Sequence, residues 1–259
     1  MLELTCDDEL RAASGDDTLL MWAAQGFTTG ARAWGHGRAV AVASPAVSGR
    51  DRIAVRGPVE ELAPLLREVL PQTGPDYRPL GDAALIGELC AEMRELEWLG
   101  TFGWMDAAGG PVQGALGQAA AAGGAPAAEA ESGASWLRAE ELDEAAELID
   151  RHFPSSYAHP HRPGARAWAG VRDGAGRLTA LAADAWGAPT VGLLAGVVTD
   201  PEHGRGRGHG AAACGLVVGE LLERTGRAAL MVEAGNDPAI RLYRRLGLEW
   251  RELAAARQR

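Results

Sequence analysis

Lysine is missing altogether: all 25 basic side chains in these 259 residues are arginine. That excludes every chemistry built on an amine side chain, from a pyridoxal Schiff base to the phosphate-gripping lysine of a P-loop. Cysteine is scarce. Cys6, Cys90 and Cys214 are an odd number at wide spacings, so neither a disulfide framework nor a CxxC metal site is supported, and a reducing interior suits them. The chain opens MLELTCDDEL, without a basic segment leading into an apolar stretch, and no apolar run approaches the ~18 residues a membrane span requires. The expectation is a soluble, cytoplasmic protein with no membrane partner. Positive charge is also short, since 35 acidic against 25 basic residues leave a net charge of −10, whereas a nucleic-acid footprint needs the opposite sign gathered on one face. Nucleic acid is therefore not expected as a partner. Asparagine occurs once, as Asn236, and tyrosine three times, so either residue inside a motif carries extra weight.

With 47% apolar and 23% charged residues the chain has ample material for a core, and its length is closer to two domains than to one at roughly 150 residues each. Residues 107–134 hold 19 alanines and glycines among 28 positions, with Pro111 and Pro126 interrupting any helix, and read as a linker. The charge divides unevenly around it. Before Ala107 there are 17 acidic and 9 basic residues, a net of −8, and from Leu137 onward 16 of each, a net of zero. Residues 1–106 read as a smaller mixed α/β domain. Strands at Ala39–Ala43 and Arg52–Arg56 turn at Ser48-Gly49, a helix from Val59 to Leu70 is ended by Pro71, and a second helix runs from Asp82 to about Leu96. No catalytic constellation stands out there, and His36, between two glycines, reads as a turn residue. The acidic surplus would draw a cationic acceptor or, at least as well, belong to an accessory packing domain.

Residues 135–259 alternate more clearly. A helix from Asp143 to Phe153 stops at Pro154, and strands Ala167–Val171 and Leu178–Trp186 form a hairpin over Asp173-Gly174-Ala175-Gly176. An apolar strand Val191–Thr199, a helix His209–Arg224, a strand Ala228–Ala234 and a helix Pro238–Leu246 stopped by Gly247 follow. Between the apolar strand and the next helix lies Pro201-Glu202-His203-Gly204-Arg205-Gly206-Arg207-Gly208-His209-Gly210-Ala211. Its glycines remove the Cβ atoms that would keep a ligand away, and the helix start offers unpaired N–H groups and a positive dipole end. With Arg205 and Arg207 alongside, the run suits a pyrophosphate, which needs several donors at short range. A solvated Gly/Arg turn is the bland alternative. A dinucleotide fingerprint, Gly206-x-Gly208-x-x-Ala211 with Glu233 22 residues further on, is disfavoured because Asp200 to Arg205 separate it from its strand and the preceding strands form a hairpin.

Downstream stands Asn236-Asp237-Pro238-Ala239-Ile240-Arg241-Leu242-Tyr243-Arg244-Arg245-Leu246-Gly247-Leu248. Arg205-x-x-Gly208-x-Gly210 after an apolar strand, followed by Asn-x-x-Ala-x-x-Leu-Tyr-Arg-x-Leu-Gly-Leu, resembles the acetyl-CoA-binding core of the GNAT superfamily of N-acetyltransferases over about residues 135–252. The resemblance implies an α/β (α+β) fold, a GNAT-like mixed sheet flanked by helices, with residues 1–106 a degenerate relative of it. It implies strands Val191–Thr199 and Ala228–Ala234 splayed around the pantetheine arm of acetyl-CoA. Backbone groups at Val197, Val198 and Thr199 would bond the arm, and amides from Arg205 to Ala211, that is Arg205, Gly206, Arg207, Gly208, His209, Gly210 and Ala211, would hold the pyrophosphate. Asn236 would touch the arm beyond the fifth strand, or cap the next helix, or both. Tyr243 matches the position that protonates the departing thiolate, a role that suits a phenol still protonated at neutral pH; otherwise it is a core aromatic. The loop from Pro201 to Arg205 is one residue longer than the family pattern, with Gly204 as the insertion.

The implied activity is transfer of an acetyl group from acetyl-CoA to a small-molecule or peptide amine by direct attack. A CoA-holding module that senses without turnover is the alternative class. Glu233 from the fifth strand or Asp184 from the third would serve as base, either being more often a plain surface carboxylate, and a water chain is a third route. His152, His159 and His161 flank Pro154-Ser155-Ser156-Tyr157, but no fourth ligand such as Cys stands near them, so no metal is expected; the loop reads as an acceptor lip or as an ordinary loop.

Overall fold

The alternating residues at 39–43 open β3 (Ala39–Val47), which pairs antiparallel with β4 (Arg50–Arg56) across a turn whose Ser48 and Gly49 both have positive φ, 51° and 72°. Two left-handed residues match the twist of the strands they join. A computed structural model describes residues 1–108 and 133–259. Most of the expected linker, 109–132, lies outside the described residues, while Ala107 and Ala108 end a strand.

The first half runs β1 (Leu2–Leu4), α1 (Asp7–Ser14), α2 (Thr18–Ala24), β2 (Arg32–His36), β3, β4, α3 (Val59–Thr73), β5 (Arg78–Asp82), α4 (Ala83–Glu92) and β6 (Leu96–Ala108). The second runs β7 (Ser135–Trp136), α5 (Leu142–His152), β8 (Ala165–Arg172), β9 (Leu178–Ala185), β10 (Gly192–Thr199), α6 (His209–Thr225), β11 (Arg227–Val232), α7 (Asp237–Arg245) and β12 (Glu249–Gln258). All twelve strands join one mixed sheet in the order β1-β2-β3-β4-β5-β12-β6-β11-β10-β9-β8-β7. Among the described residues only β4–β5 and β10–β11 are parallel. The order is a palindrome of two equivalent halves. Each half has a short first strand, a three-strand meander, a helix crossing to a parallel fifth strand, and a second helix leading to a sixth.

The sixth strands are exchanged. β12 lies between β5 and β6, and β6 lies between β12 and β11, so each half completes its sheet with the other's last strand. Helices α1, α2 and α5 cover one face, and α3, α4, α6 and α7 the other. One apolar cluster spans the junction, joining Trp22, Val42 and Leu80 of the first half to Val191, Ala229 and Leu253 of the second. Among the described residues no helix is long and apolar enough to cross a membrane.

Two expectations need correction. The helix expected to reach about Leu96 stops at Glu92, and a 13-residue strand, β6, begins at Leu96. α3 continues through Pro71 to Thr73, where Gly74 donates its N–H to Leu70 O at 3.3 Å; a proline in the last turn removes a single ladder bond. The composition reading also passed over β12, which pairs with β6 from Glu249 to Gln258.

Asp17 ties the exchanged strand down. It caps α2, accepting from the N–H groups of Leu19 and Leu20 at 3.0 and 3.2 Å, and its carboxylate meets Arg251 of β12 at 2.6 Å and Arg56 of β4 at 2.8 Å. Burial alone would push its pKa up, but the bonds from Arg251, Leu20 and Arg56 bring it below the ordinary carboxylate value. A carboxyl lowered in the folded state stabilises fully above its unfolded pKa and loses that contribution as pH falls through the folded one, here below about pH 4. Asp17→Ala is expected to cost about 3 kcal/mol, read from the urea midpoint at pH 7, and to flatten the stability decline below about pH 4. An unchanged midpoint would show the cluster to be energetically neutral.

Candidate functional site

The apolar strand β10 stays beside β11 for only three pairs, Gly192–Ala228 to Leu194–Leu230. Beyond Leu194 a bulge between Ala195 and Val198 turns β10 away, with Gly196 in the left-handed region at φ 59°. β11 continues along β6 instead, Met231 and Val232 facing Trp104 and Gly103. A cleft opens between the two strands. The edge of β10 facing it, through Val197, Val198 and Thr199, is unpaired on that side, while Val198 and Thr199 remain held from behind by β9. Gly196 had a signal that sequence reasoning missed, since an isolated glycine inside an apolar strand marks a bulge or a close approach. A Cβ on Gly196 would meet the Trp168 ring at 2.6 Å and Ala158 Cβ at 3.1 Å.

At the end of β10 the chain turns tightly. Asp200 O accepts from the N–H groups of Gly204 and Arg205, both at 3.0 Å, and Gly204 O accepts from Arg207 N at 3.3 Å. Gly204 is a packing residue, because a Cβ there would lie 2.5 Å from Thr179 O. The first bond of α6 runs from Ala212 N to Gly208 O, 2.9 Å. The N–H groups of Gly208, His209, Gly210 and Ala211 therefore have no partner within the helix. Gly206 and Gly208 have φ of 76° and 83° with open space around them. The glycines thus leave amides exposed to a ligand, whereas the backbone N–H groups of Arg205 and Arg207 are spent inside the turn. Their guanidinium groups are exposed and form no ion pair among the described residues. The His209 side chain turns away to Thr179 Oγ1 at 2.6 Å; burial first, then Arg207, lowers its pKa, which keeps the ring neutral.

Tyr243 comes from α7, a helix capped by Asn236, whose Oδ1 accepts from Ala239 N at 3.3 Å. The cap leaves the amide group of the exposed Asn236 without a hydrogen-bond partner among the described residues. Tyr243 is buried in the apolar cluster that also holds Cys214 and Val232, with Val197 packed against that cluster. Burial, with a smaller contribution from Cys214, raises its pKa well above 10. The same burial pushes the Cys214 thiol to about 12, so this thiol is no nucleophile.

The acid candidates separate. Glu233 stands exposed one residue beyond β11, near the cleft mouth. Asp184 pairs with Leu194 on the stretch of β10 before the bulge, and its buried carboxylate is held by Arg166 and by Arg224 at 2.6 Å. Neutralised twice and set toward the C-terminal end of α6, it does not face the opening. The three histidines disperse onto three carboxylates, His152 to Asp200 at 3.8 Å, His159 to Asp150 at 3.4 Å and His161 to Asp143 at 3.1 Å.

The first half repeats the scaffold, including a three-pair parallel β4–β5 ladder, but without the glycine-rich turn before its helix. Its β4–α3 link is only Gly57-Pro58, and Glu60 and Glu61 occupy the first turn of α3, putting carboxylates where an anion would sit. A Cβ on Gly81 of β5 would lie 2.7 Å from Val55 O of β4, so these strands stay together.

Residues 169–256 match the family described as FR47-like protein. Comparison with curated proteins gives no match. Among solved structures, a GCN5-related N-acetyltransferase from Kribbella flavida is 20% identical, covers 88% of this chain and 89% of its own, and superposes with a TM-score of 0.56. A GCN5-related N-acetyltransferase-like protein from Streptococcus suis 89/1591 is 12% identical, with 96% of each chain covered and a TM-score of 0.54. A GCN5-related N-acetyltransferase from Sphaerobacter thermophilus is 15% identical, with 85% and 76% covered and a TM-score of 0.53. At these identities the likeness is one of fold: the chain has the GNAT fold, with a mixed sheet flanked by helices on both faces.

Proposed function

We propose that this GNAT-fold chain transfers an acetyl group from acetyl-CoA to an amine by direct attack. The observation that carries the reading is the opening of β10 away from β11 beside the free amides of Gly208 to Ala211. The amides and the positive end of α6 suit a pyrophosphate, Arg205 and Arg207 add charge at the rim, and unpaired backbone groups of Val197 to Thr199 suit the amides of a pantetheine arm. Asn236 has a free amide for the same arm.

In the reaction the neutral amine attacks the thioester carbonyl carbon, the tetrahedral intermediate expels the thiolate as the C–S bond breaks, and the Tyr243 phenol donates a proton to sulfur. The acceptor's surplus proton leaves through water at the cleft mouth, where Glu233 stands. A phenol with a raised pKa is a weak acid, but a thiolate in the same water-poor cleft is also more basic, which narrows the gap.

Calorimetry with coenzyme A tests the donor site. Replacing both Arg205 and Arg207 by Ala is expected to weaken binding about tenfold and to reduce its salt dependence, with stability unchanged because neither side chain packs. No heat with the wild-type chain would overturn the reading. An acceptor screen scored by thiol release then separates transfer from sensing.

A further inference from the structure

Arg52 is a buried cation without an acid. It is 7% exposed, yet its bonds are to Val47 O at 3.2 Å and Ser48 Oγ at 3.0 Å, and no carboxylate pairs with it among the described residues. A buried guanidinium is normally paired. Here the neighbours add to the deficit. Ser44 faces Arg52 across β3–β4 and Arg78 faces it across β4–β5, so the three share one face of the sheet, and Arg50, two residues away, shares it too. Ser44 Oγ is itself buried without a partner. The nearest acid in sequence, Asp51, points to the other face and accepts from Ala46 N at 2.7 Å. Burial first, then Arg50, lower the Arg52 pKa to about 10; Tyr157 opposes them, and Arg78 adds the smallest lowering. Three arginines thus converge in the half of the chain whose net charge is −8.

The cluster lies at the cleft's end of the sheet. β4 and β10 run in opposite senses through the intervening pairings, which puts the start of β4, Arg50 and Arg52, at the same end as the close of β10. One loop joins the two places. Tyr157, half exposed, takes hydrogen bonds from Arg50, Nε at 2.9 Å and also Nη2, with the Arg50 guanidinium 4.9 Å from its ring centre. The next residue, Ala158, is the one packed against the Gly196 bulge of β10. One loop thus touches Arg50 through Tyr157 and the Gly196 bulge through Ala158.

We propose that Arg52, flanked by Arg50 and Arg78, receives an anionic group, carboxylate or phosphate, carried by the amine acceptor. This rests on the acetyl-transfer reading for the acceptor's role and on the first half alone for the anion. It also gives the first half, which has lost its own donor site, a part in acceptor selection. The Arg52 side chain has five N–H donors in a planar fork, of which two are used, so the remaining edge can meet an oxyanion in two bonds. Tyr157 is the polar lip over this position.

The test uses the full chain with three amines of similar length, β-alanine, O-phosphoethanolamine and n-propylamine, and reads the melting temperature of wild type and Arg52→Gln with coenzyme A present. The difference between the two proteins is the quantity read, so anions bound elsewhere cancel. At least one anionic amine is expected to raise the wild-type melting temperature and to lose most of that rise in Arg52→Gln, while n-propylamine acts on neither. Without ligand, Arg52→Gln is expected to be as stable as wild type or more so, since it removes an unpaired buried charge. Equal shifts in both proteins, no shift in wild type, or an equal shift with n-propylamine would overturn the proposal. Acetate and inorganic phosphate form a second arm: if they stabilise through Arg52 and the anionic amines do not, the site holds a free anion and the acceptor assignment falls. Should Arg52→Gln not fold, Arg78→Ala, a half-buried residue, is expected to halve the same shifts. A coenzyme A titration on the same samples separates the two readings, because absent CoA binding removes acetyl transfer and leaves an Arg52-dependent shift standing.

Discussion

Residues 133–259 produced alone are expected to remain unfolded or to aggregate, although they hold the donor cleft and its motifs. The cause is the strand exchange. β11 and β12 of the second half are not neighbours; β6, from 96–108, lies between them and pairs with β11 from Arg227 to Val232 and with β12 from Glu249 to Gln258. Removing it leaves two long strand edges without partners and strips Trp104 and Met105 from the core, each fully buried and worth about 2–3 kcal/mol. Domains are stable by only about 5–15 kcal/mol, so the loss of these two side chains, about 4–6 kcal/mol, takes up much of that margin before the unpaired strand edges are counted. Far-UV circular dichroism and limited proteolysis of the fragment check this, and co-expression with residues 1–108 is expected to restore a protease-resistant complex. A fragment that unfolds cooperatively with the full chain's midpoint would show the exchange to be dispensable.

Tyr243→Phe is expected to lower kcat for acetyl transfer by about 10²-fold or more, the scale on which a positioned proton donor acts. Coenzyme A affinity should change little, because the hydroxyl serves the departing sulfur rather than the pyrophosphate. Stability should hold or rise slightly, since the ring stays packed and a buried hydroxyl is removed. The pH profile carries a second mark. A donor acts while protonated, and burial places this phenol well above 10, so the wild-type rate should show no descending limb assignable to Tyr243 at or below pH 10. A rate within about twofold of wild type would remove Tyr243 from the chemistry.

Much of the proposed donor site is legible in the sequence, because the chemistry it would need is local. A pyrophosphate needs free amides at a helix start and glycines that let it approach, and Gly206, Gly208 and Gly210 stand in a row immediately before and within that start. Contact by contact the reading was coarser. Arg205 and Arg207 sat among the amide donors, but the turn uses their N–H groups and leaves only the side chains. Asp184 was a candidate base until its two arginine partners, 18 and 40 residues away, came into view. Arg52 was one arginine in a short strand; its burial beside Arg78, with Tyr157 reaching across from the other half, is a product of folding.

The sequence by itself determined the elements of the second half from α5 to α7, their order and the glycine-rich turn before α6, since helical period, strand alternation and turn residues act over a few neighbouring positions. Tertiary structure alone decided that β6 and β12 change places and that Arg50, beside the buried Arg52, meets Tyr157 of the other half. Those outcomes depend on contacts between residues more than a hundred positions apart, whose pairing follows from which faces can be buried together and leaves no periodic trace along the chain.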